Sequence, residues 1–428
     1  MARRTRLSHA DYTVGWICAL SLEMAAAKLM LDEVHENLSS QPNDHNSYYF
    51  GNIGQHNIVL ACLPHGEYGI ASAATVATQL KSSFHSIRFG LMVGIGGGVP
   101  SEGDIRLGDV VVSRPTGAHG GVVQYDYGKA LNEGVFQRTG MLNRPPQILL
   151  TSLNKVETNH MTEGSRVPRF LDDIKRKIPN YAANFARPTQ ADCLYMTGYD
   201  HAIPSSETCD GCDKTMDVQR ANRKDNNPVI HYGVIASGNQ VVKNSHLRDN
   251  LGRELGASCV EMEAAGLMNN YPCLVVRGIC DYADSHKNKE WQRYAAAAAA
   301  AYTKELLLET PAIHIDQAQT VQEILYDSDI HRVEASEDED GTSEDEDEES
   351  EEEESDGEIL ESRGNASSQR RDKCYNCWRY GHWRNQCPDL TCDRCGSLGH
   401  YATTCTRQQG ICYKCGTWGH FAETCWIS

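Results

Sequence analysis

No run of about 20 apolar residues occurs in this 428-residue chain, so no membrane span is expected. The first apolar run, residues 13–20, is short and soon meets Glu23, and it does not read as a signal peptide. Basic residues are missing from one long segment: from Glu334 to Glu361 there are 18 acidic residues and no Lys or Arg. Residues 336–356 are almost pure Glu, Asp and Ser. They cannot bury enough apolar area to offset the entropy of ordering, and disorder is expected there. Such a segment is a solvated spacer or meets basic partners, the chain's own tail included. The whole chain carries −18, residues 362–428 carry nine basic and four acidic groups for +5, and −5 is left for residues 1–333. Only the tail therefore has a charge suited to nucleic acid. A disulfide pattern is lacking as well. Nine of the 17 cysteines fall in the last 55 residues, in register with histidines. That argues for metal and a reducing compartment, so the chain is expected inside the cell, in cytoplasm or nucleus. The other cysteines are scattered, mostly in apolar runs, and read as small core residues. Among them Cys209-x2-Cys212 has no second pair or His at a firm metal-binding spacing, and it reads as structural.

What is present is an alternation of short apolar runs with helical stretches. Strands are predicted at 13–20, 57–63, 89–95, 109–113, 229–237 and 273–279, and helices at 21–36, 70–84 and 291–308. The last helix holds seven consecutive alanines, and residues 259–268 are read as turning into a helix. The pattern implies an α/β fold with a mixed, mainly parallel central sheet flanked by helices. About 300 residues suffice for a substantial core. Between 143 and 227 the pattern weakens, and this segment is read as an insertion or lid. The organisation expected is a catalytic domain at 10–312, an acidic disordered linker at 313–371 and three small metal modules at 372–428.

Those modules are explicit in the spacing. Cys374-x2-Cys377-x4-His382-x4-Cys387 repeats as Cys392, Cys395, His400 and Cys405, then as Cys412, Cys415, His420 and Cys425. Three thiolates and one imidazole close a tetrahedral zinc shell, the signature of a structural site. Modules this small derive their folding energy from the metal. They resemble CCHC zinc knuckles. That resemblance implies binding of single-stranded RNA or DNA, with bases stacked on aromatics such as Tyr375, Trp378 and Trp418 and phosphates met by residues such as Arg379 and Lys414. A protein partner is the alternative.

In open α/β sheets ligands sit beyond the carboxyl ends of strands. The predicted strands deliver Glu23, the glycines after Ile95, Gln240-Val241-Val242-Lys243, Glu261-Met262-Glu263 and Asp281 to such places. Gly94-Ile95-Gly96-Gly97-Gly98-Val99 lacks the last glycine of a dinucleotide fingerprint and the Lys-Ser/Thr of a P-loop. It allows close backbone approach, either for tight packing or as an anion-holding nest.

Four segments carry a family resemblance: 91–99 with its glycines, 108–113, Val260-Glu261-Met262-Glu263-Ala264-Ala265, and Val276-Arg277-Gly278-Ile279-Cys280-Asp281. In order and spacing they look like the nucleoside phosphorylase and nucleosidase superfamily, over residues 12–308. The pattern is similar to the methylthioadenosine/adenosylhomocysteine nucleosidase branch. Around His65-Gly66-Glu67-Tyr68-Gly69 it also resembles fungal and bacterial immune-type domains, some of them adenine-releasing on ATP. The resemblance implies roles. Asp281 would protonate purine N7, Glu263 would hold the ribose hydroxyls and favour a cationic transition state, and Glu23 would activate water. Met262 would pack under the sugar, Val241 and Val242 would contact the base, and Gly96 and Gly97 would border the substrate. No catalytic cofactor is implied, and a homo-oligomer is. A carboxylate at Glu23, and Met92 where phosphorylases carry a phosphate-binding arginine, favour water over phosphate as nucleophile. The chain thus reads as a purine nucleoside or nucleotide N-ribohydrolase that releases adenine. A phosphate-dependent phosphorylase and a non-catalytic nucleoside-sensing adaptor are the alternatives. Ile95 and Cys280 replace hydroxyl residues of the family, and Arg106, Lys243 and His246 are candidates to meet a 5′-phosphate.

Overall fold

The computed structural model describes residues 4–100, 103–132, 136–203 and 208–312. The acidic linker and all twelve candidate knuckle ligands lie outside the described residues. The chain starts with β1 (Val14–Cys18), α1 (Ser21–Met30), β2 (Glu33–Val34), β3 (Tyr48–Ile53), β4 (His56–Cys62), α2 (Ile70–Ser83) and the long β5 (Phe89–Gly98). Next come β6 (Val110–Ser113), β7 (Val122–Gln124), the small hairpin β8 (Gly128–Ala130) and β9 (Phe136–Arg138), then α3 (Gln147–Thr162) and α4 (Val167–Lys177). The domain closes with β10 (Ile230–Ser237), α5 (Ser245–Leu255), β11 (Ala257–Glu261), β12 (Cys273–Asp281) and α6 (Gln292–Glu309).

The sheet runs β11-β10-β6-β12-β5-β1-β4-β3-β2, with β7 beside β10. β1, β4, β5 and β12 are mutually parallel, whereas β6 meets β12 and β3 meets β4 antiparallel. The sheet is therefore mixed and mainly parallel. It curls until β11 pairs antiparallel with the tip of β5, Cys259 opposite Gly98 and Val260 opposite Gly97. β1, β5 and β12 are almost wholly buried along their length, which explains why they read as continuous apolar runs instead of alternating ones. The alanine run of α6 lies fully inside the core. Side chains this small let the helix backbone approach β12, where a methyl on Gly278 would collide with Ala295.

Several elements differ from the sequence expectation. The helix from Ser21 stops at Met30, because the next residues join the sheet as β2 against β3. β3 was not expected; its Gly and Asn weaken a strand signal that pairing with β4 restores. β5 continues through Gly96, Gly97 and Gly98, so these residues form the end of a strand and not an anion nest. Residues 257–261 are strand, and the helix expected up to 268 is one 3-10 turn, Ala264–Gly266. The segment 143–227, read as an insertion or lid, is partly built into the core. α3 and α4 bury Leu149, Leu153, Val156, Phe170 and Ile174 in the main core with α6, whereas 178–227 is largely irregular. Among the described residues no helix is long and apolar enough to cross a membrane.

Candidate active site

The carboxyl ends of β1, β5, β10, β11 and β12 meet around a cavity of about 460 Å³. It is lined by Glu23, Met262 and Glu263, by Gly96 and Gly97, and by Val241 and Val242. The sequence had singled out all seven from segments up to 240 residues apart. Val242 is buried and Val241 half exposed, so the two valines form a floor and a lip.

Glu23 is buried and fixed by three backbone donors. Ala19 N and Leu20 N donate to its Oε2 at 2.7 and 2.9 Å, and Ile95 N donates to its Oε1 at 2.8 Å. Ile95 thus contributes through its backbone at a position where the family has a hydroxyl. Burial pushes the Glu23 carboxyl above its ordinary value, while Arg277 and the three N–H groups pull it down. A methyl on Gly94 would collide with both Glu23 Oε1 and Arg277 Nη1, so glycine is needed there for close approach.

Arg277 is the buried counter-charge of the site and is fully inaccessible. Its Nη2 donates to Glu261 and, at 3.3 Å, to Glu263 Oε2; its Nη1 donates to Ile95 O at 3.4 Å. Glu261 also accepts from Glu263 N at 3.1 Å and Ala264 N at 3.0 Å, which sets the turn that presents Glu263. Three carboxylates therefore share one guanidinium. Burial, opposed by Arg277 and reinforced by Glu261 and Glu23, pushes Glu263 up to about 7. Sequence reasoning gave Arg277 and Glu261 no role. The signal was present, since a lone Arg within a buried apolar strand requires acidic partners.

Asp281 occupies a different position from the other carboxylates. It lies in the partition between this cavity and a second one, which it lines with Cys280 and Tyr282. It approaches the first cavity behind Gly97, where a methyl would stand 2.9 Å from Asp281 Oδ1. Its Oδ1 accepts from Ala283 N at 2.9 Å, and Ala283 adopts φ +51° to make that contact. Its Oδ2 is 3.0 Å from the Cys280 thiol and 2.9 Å from Lys287 Nζ. Burial, then Asp281, holds the Cys280 thiol well above its ordinary pKa, so it stays protonated and donates as the family's hydroxyl would. Burial works to lower Lys287, but the Asp281 carboxylate outweighs it and its pKa is raised. Lys287 and Lys289 line the first cavity; no local sequence signal marked them, because they reach it only through the return of the loop after β12. Arg106, Lys243 and His246 do not line it. Arg106 is engaged with Asp104 at 2.8 Å and Ala221 O at 2.6 Å, and Lys243 and His246 are exposed. Met92 is buried in the core.

Fold and site together define an α/β protein with a carboxylate-lined cavity for a small molecule. The chain belongs to the phosphorylase superfamily, whose family model matches residues 13–308. It is 47% identical over 307 residues to a nucleotide-binding leucine-rich repeat (NLR)-like protein of Hyaloscypha variabilis, covering 71% of this chain and 30% of that protein. The chain thus spans under a third of that relative's length. It is 24% identical to the 5′-methylthioadenosine/S-adenosylhomocysteine nucleosidase of Mycobacterium bovis, covering 70% of this chain and 98% of the relative. The solved futalosine hydrolase of Helicobacter pylori aligns with TM-score 0.46 and 18% identity, covering 71% of this chain and 100% of that one. A zinc knuckle family model matches residues 372–389, which hold Cys374, Cys377, His382 and Cys387. Three thiolates and one imidazole fit a structural zinc ion.

Proposed function

We propose that residues 10–312 hydrolyse the N-glycosidic bond of a purine nucleoside or nucleotide and release adenine. The observation that carries this reading is the opening of Glu23 and Glu263 onto one cavity, with Asp281 behind Gly97 at its edge. In this reaction Glu23 takes a proton from water as the oxygen attacks C1′. Its elevated pKa makes it a stronger base than an exposed glutamate. Glu263 accepts from the ribose hydroxyls and stabilises the positive charge that develops on the sugar. Asp281, protonated from solvent as the substrate displaces Lys287, gives that proton to N7 as the C1′–N9 bond breaks, so the base leaves neutral. Lys287, at 2.9 Å, orients Asp281 until the purine takes that place. Met262 packs under the sugar, and Val241 and Val242 hold the base. Water is favoured over phosphate by the carboxylate at Glu23 and by the absence of arginine among the described lining residues. A relative named as a nucleosidase supports the same class of reaction.

Residues 372–428 are read as three zinc knuckles that hold single-stranded nucleic acid, tethered through the acidic segment 313–371. The catalytic reading is tested by free-base release from adenosine, inosine, methylthioadenosine, AMP and ATP, with and without phosphate, for wild type and Asp281→Asn. Release without phosphate that is lost in the variant supports the hydrolase and identifies the substrate. Release that requires phosphate makes the protein a phosphorylase, and no release from any of the five refutes the enzyme reading.

A further inference from the structure

The irregular part of the insertion builds a second cavity of about 230 Å³ beside the first, lined among others by Cys193, Tyr195, Cys209, Asp284 and His286. Cys209 lines this cavity, and His201, Cys209 and Cys212 bring one imidazole nitrogen and two thiol sulfurs within 4.8 Å of one another. The sequence gave no reason to join His201 to the cysteine pair, because the eight-residue separation is no standard ligand spacing. The folded chain makes the connection. A two-residue gap between cysteines is the zinc-hairpin spacing, and tetrahedral Zn–S bonds near 2.3 Å set sulfurs roughly 3.8 Å apart. The three side chains close on an ion with a shift of about 1 Å.

Two further observations point to a ligand. His201 is buried, and its Nε2 donates to the Thr208 carbonyl at 3.1 Å. That is the second hydrogen bond a metal-bound histidine characteristically makes, and it leaves the lone pair on Nδ1. At present that lone pair accepts from Ile203 N at 3.2 Å. His286 is only 8% exposed, yet neither of its ring nitrogens has a hydrogen-bond partner. Its ring stacks on Tyr195 at 4.0 Å, lies 5.3 Å from the His201 ring, and has Asp284 Oδ1 3.7 Å from Nδ1. An imidazole buried this deeply without partners is costly unless something binds it.

We propose that His201, Cys209, Cys212 and His286 form a structural zinc site. The ion ties the insertion to the segment that follows Asp281 and carries Lys287, and so braces one wall of the candidate active site. The site stands on its own ligands, and its test does not depend on the reaction.

The test uses the full chain. Zinc is counted by elemental analysis in wild type, Cys209→Ser/Cys212→Ser, His201→Ala, His201→Cys and His286→Ala, each loaded with zinc and dialysed. Wild type and His201→Cys are expected to hold one equivalent more than the serine and His201→Ala variants. Equal counts overturn the site, and an undiminished count in His286→Ala removes His286 from it. A measurement on the wild type alone covers the case of a misfolded variant. Native alkylation mapped by mass spectrometry should find Cys209 and Cys212 protected with zinc and reactive after chelation. Reactivity indifferent to chelation, or a Cys209–Cys212 disulfide, overturns the proposal.

Discussion

Replacing Glu263 by Gln is expected to stabilise the fold while removing the chemistry, and pH separates the two effects. Glu263 is buried, and its carboxyl is pushed up to about 7 from an ordinary 4.5, by burial first, against Arg277, with Glu261 and Glu23 adding. A carboxyl with a folded pKa above its unfolded one holds more protons in the folded state. Its burden on stability is absent below about pH 4.5, grows as pH rises and is complete once pH has passed about 7. That interval corresponds to about 3 kcal/mol at about 1.4 kcal/mol per pKa unit. Glutamine keeps the shape and drops the charge. The pull of Arg277 on the charged form through its 3.3 Å contact is already contained in that interval. The net is a gain of about 3 kcal/mol at pH 8 that fades to nothing near pH 4.5. For a domain of this size the gain raises Tm by about 5–8 °C. Thermal and urea unfolding of the full chain at pH 5, 6, 7 and 8 reads the difference directly, and base release by the same variant should fall about 100-fold or more. A variant less stable than wild type at pH 8, or a difference that does not change between pH 5 and 8, would refute the reasoning.

The buried guanidinium should behave in the opposite way. Arg277→Met leaves three carboxylates without a counter-charge and should cost about 3–5 kcal/mol at pH 8, and less at pH 5, in urea unfolding. Gly97→Ala places a methyl 2.9 Å from both Asp281 Oδ1 and the Ala283 side chain. It should lower base release about 100-fold at a stability cost of about 1–3 kcal/mol; full activity would show that Asp281 does not work through this gap. In wild type, kcat/KM should rise with pH through about 7 as Glu263 ionises, and a flat profile from pH 6 to 8 would argue against its role. Replacing Cys374, Cys392 and Cys412 together by Ser should abolish retention of single-stranded RNA, a retention that in wild type weakens with rising salt. Unchanged retention would remove nucleic acid as the ligand of the tail.

Much of the site was legible because its residues follow strands that announce themselves. β1, β5 and β12 are buried on both faces and read as apolar runs, and the residues just beyond them, Glu23, the glycines and Asp281, stand at the carboxyl edge by topology alone. Glu261-Met262-Glu263 was readable as a motif, but the helix expected over 259–268 was wrong: Cys259, Val260 and Glu261 pair with β10, and only Ala264–Gly266 turns, as one 3-10 turn. β3 was missed because Gly51 and Asn52 interrupt its aromatic run, and its partner strand supplies the order.

The sequence by itself determined the mainly parallel α/β class, the edge of the sheet where the carboxylates gather, and the zinc-knuckle spacing at 372–389. Each is written in local period or in spacing along the chain. Only the tertiary structure decided that Glu23, Glu261 and Glu263 share one buried Arg277, that Lys287 faces Asp281, and that His201 reaches Cys209 and Cys212. Those contacts come from the curl that brings β11 back to β5 and from loops that return over the sheet edge. Their geometry depends on packing between distant segments, and no local pattern encodes it.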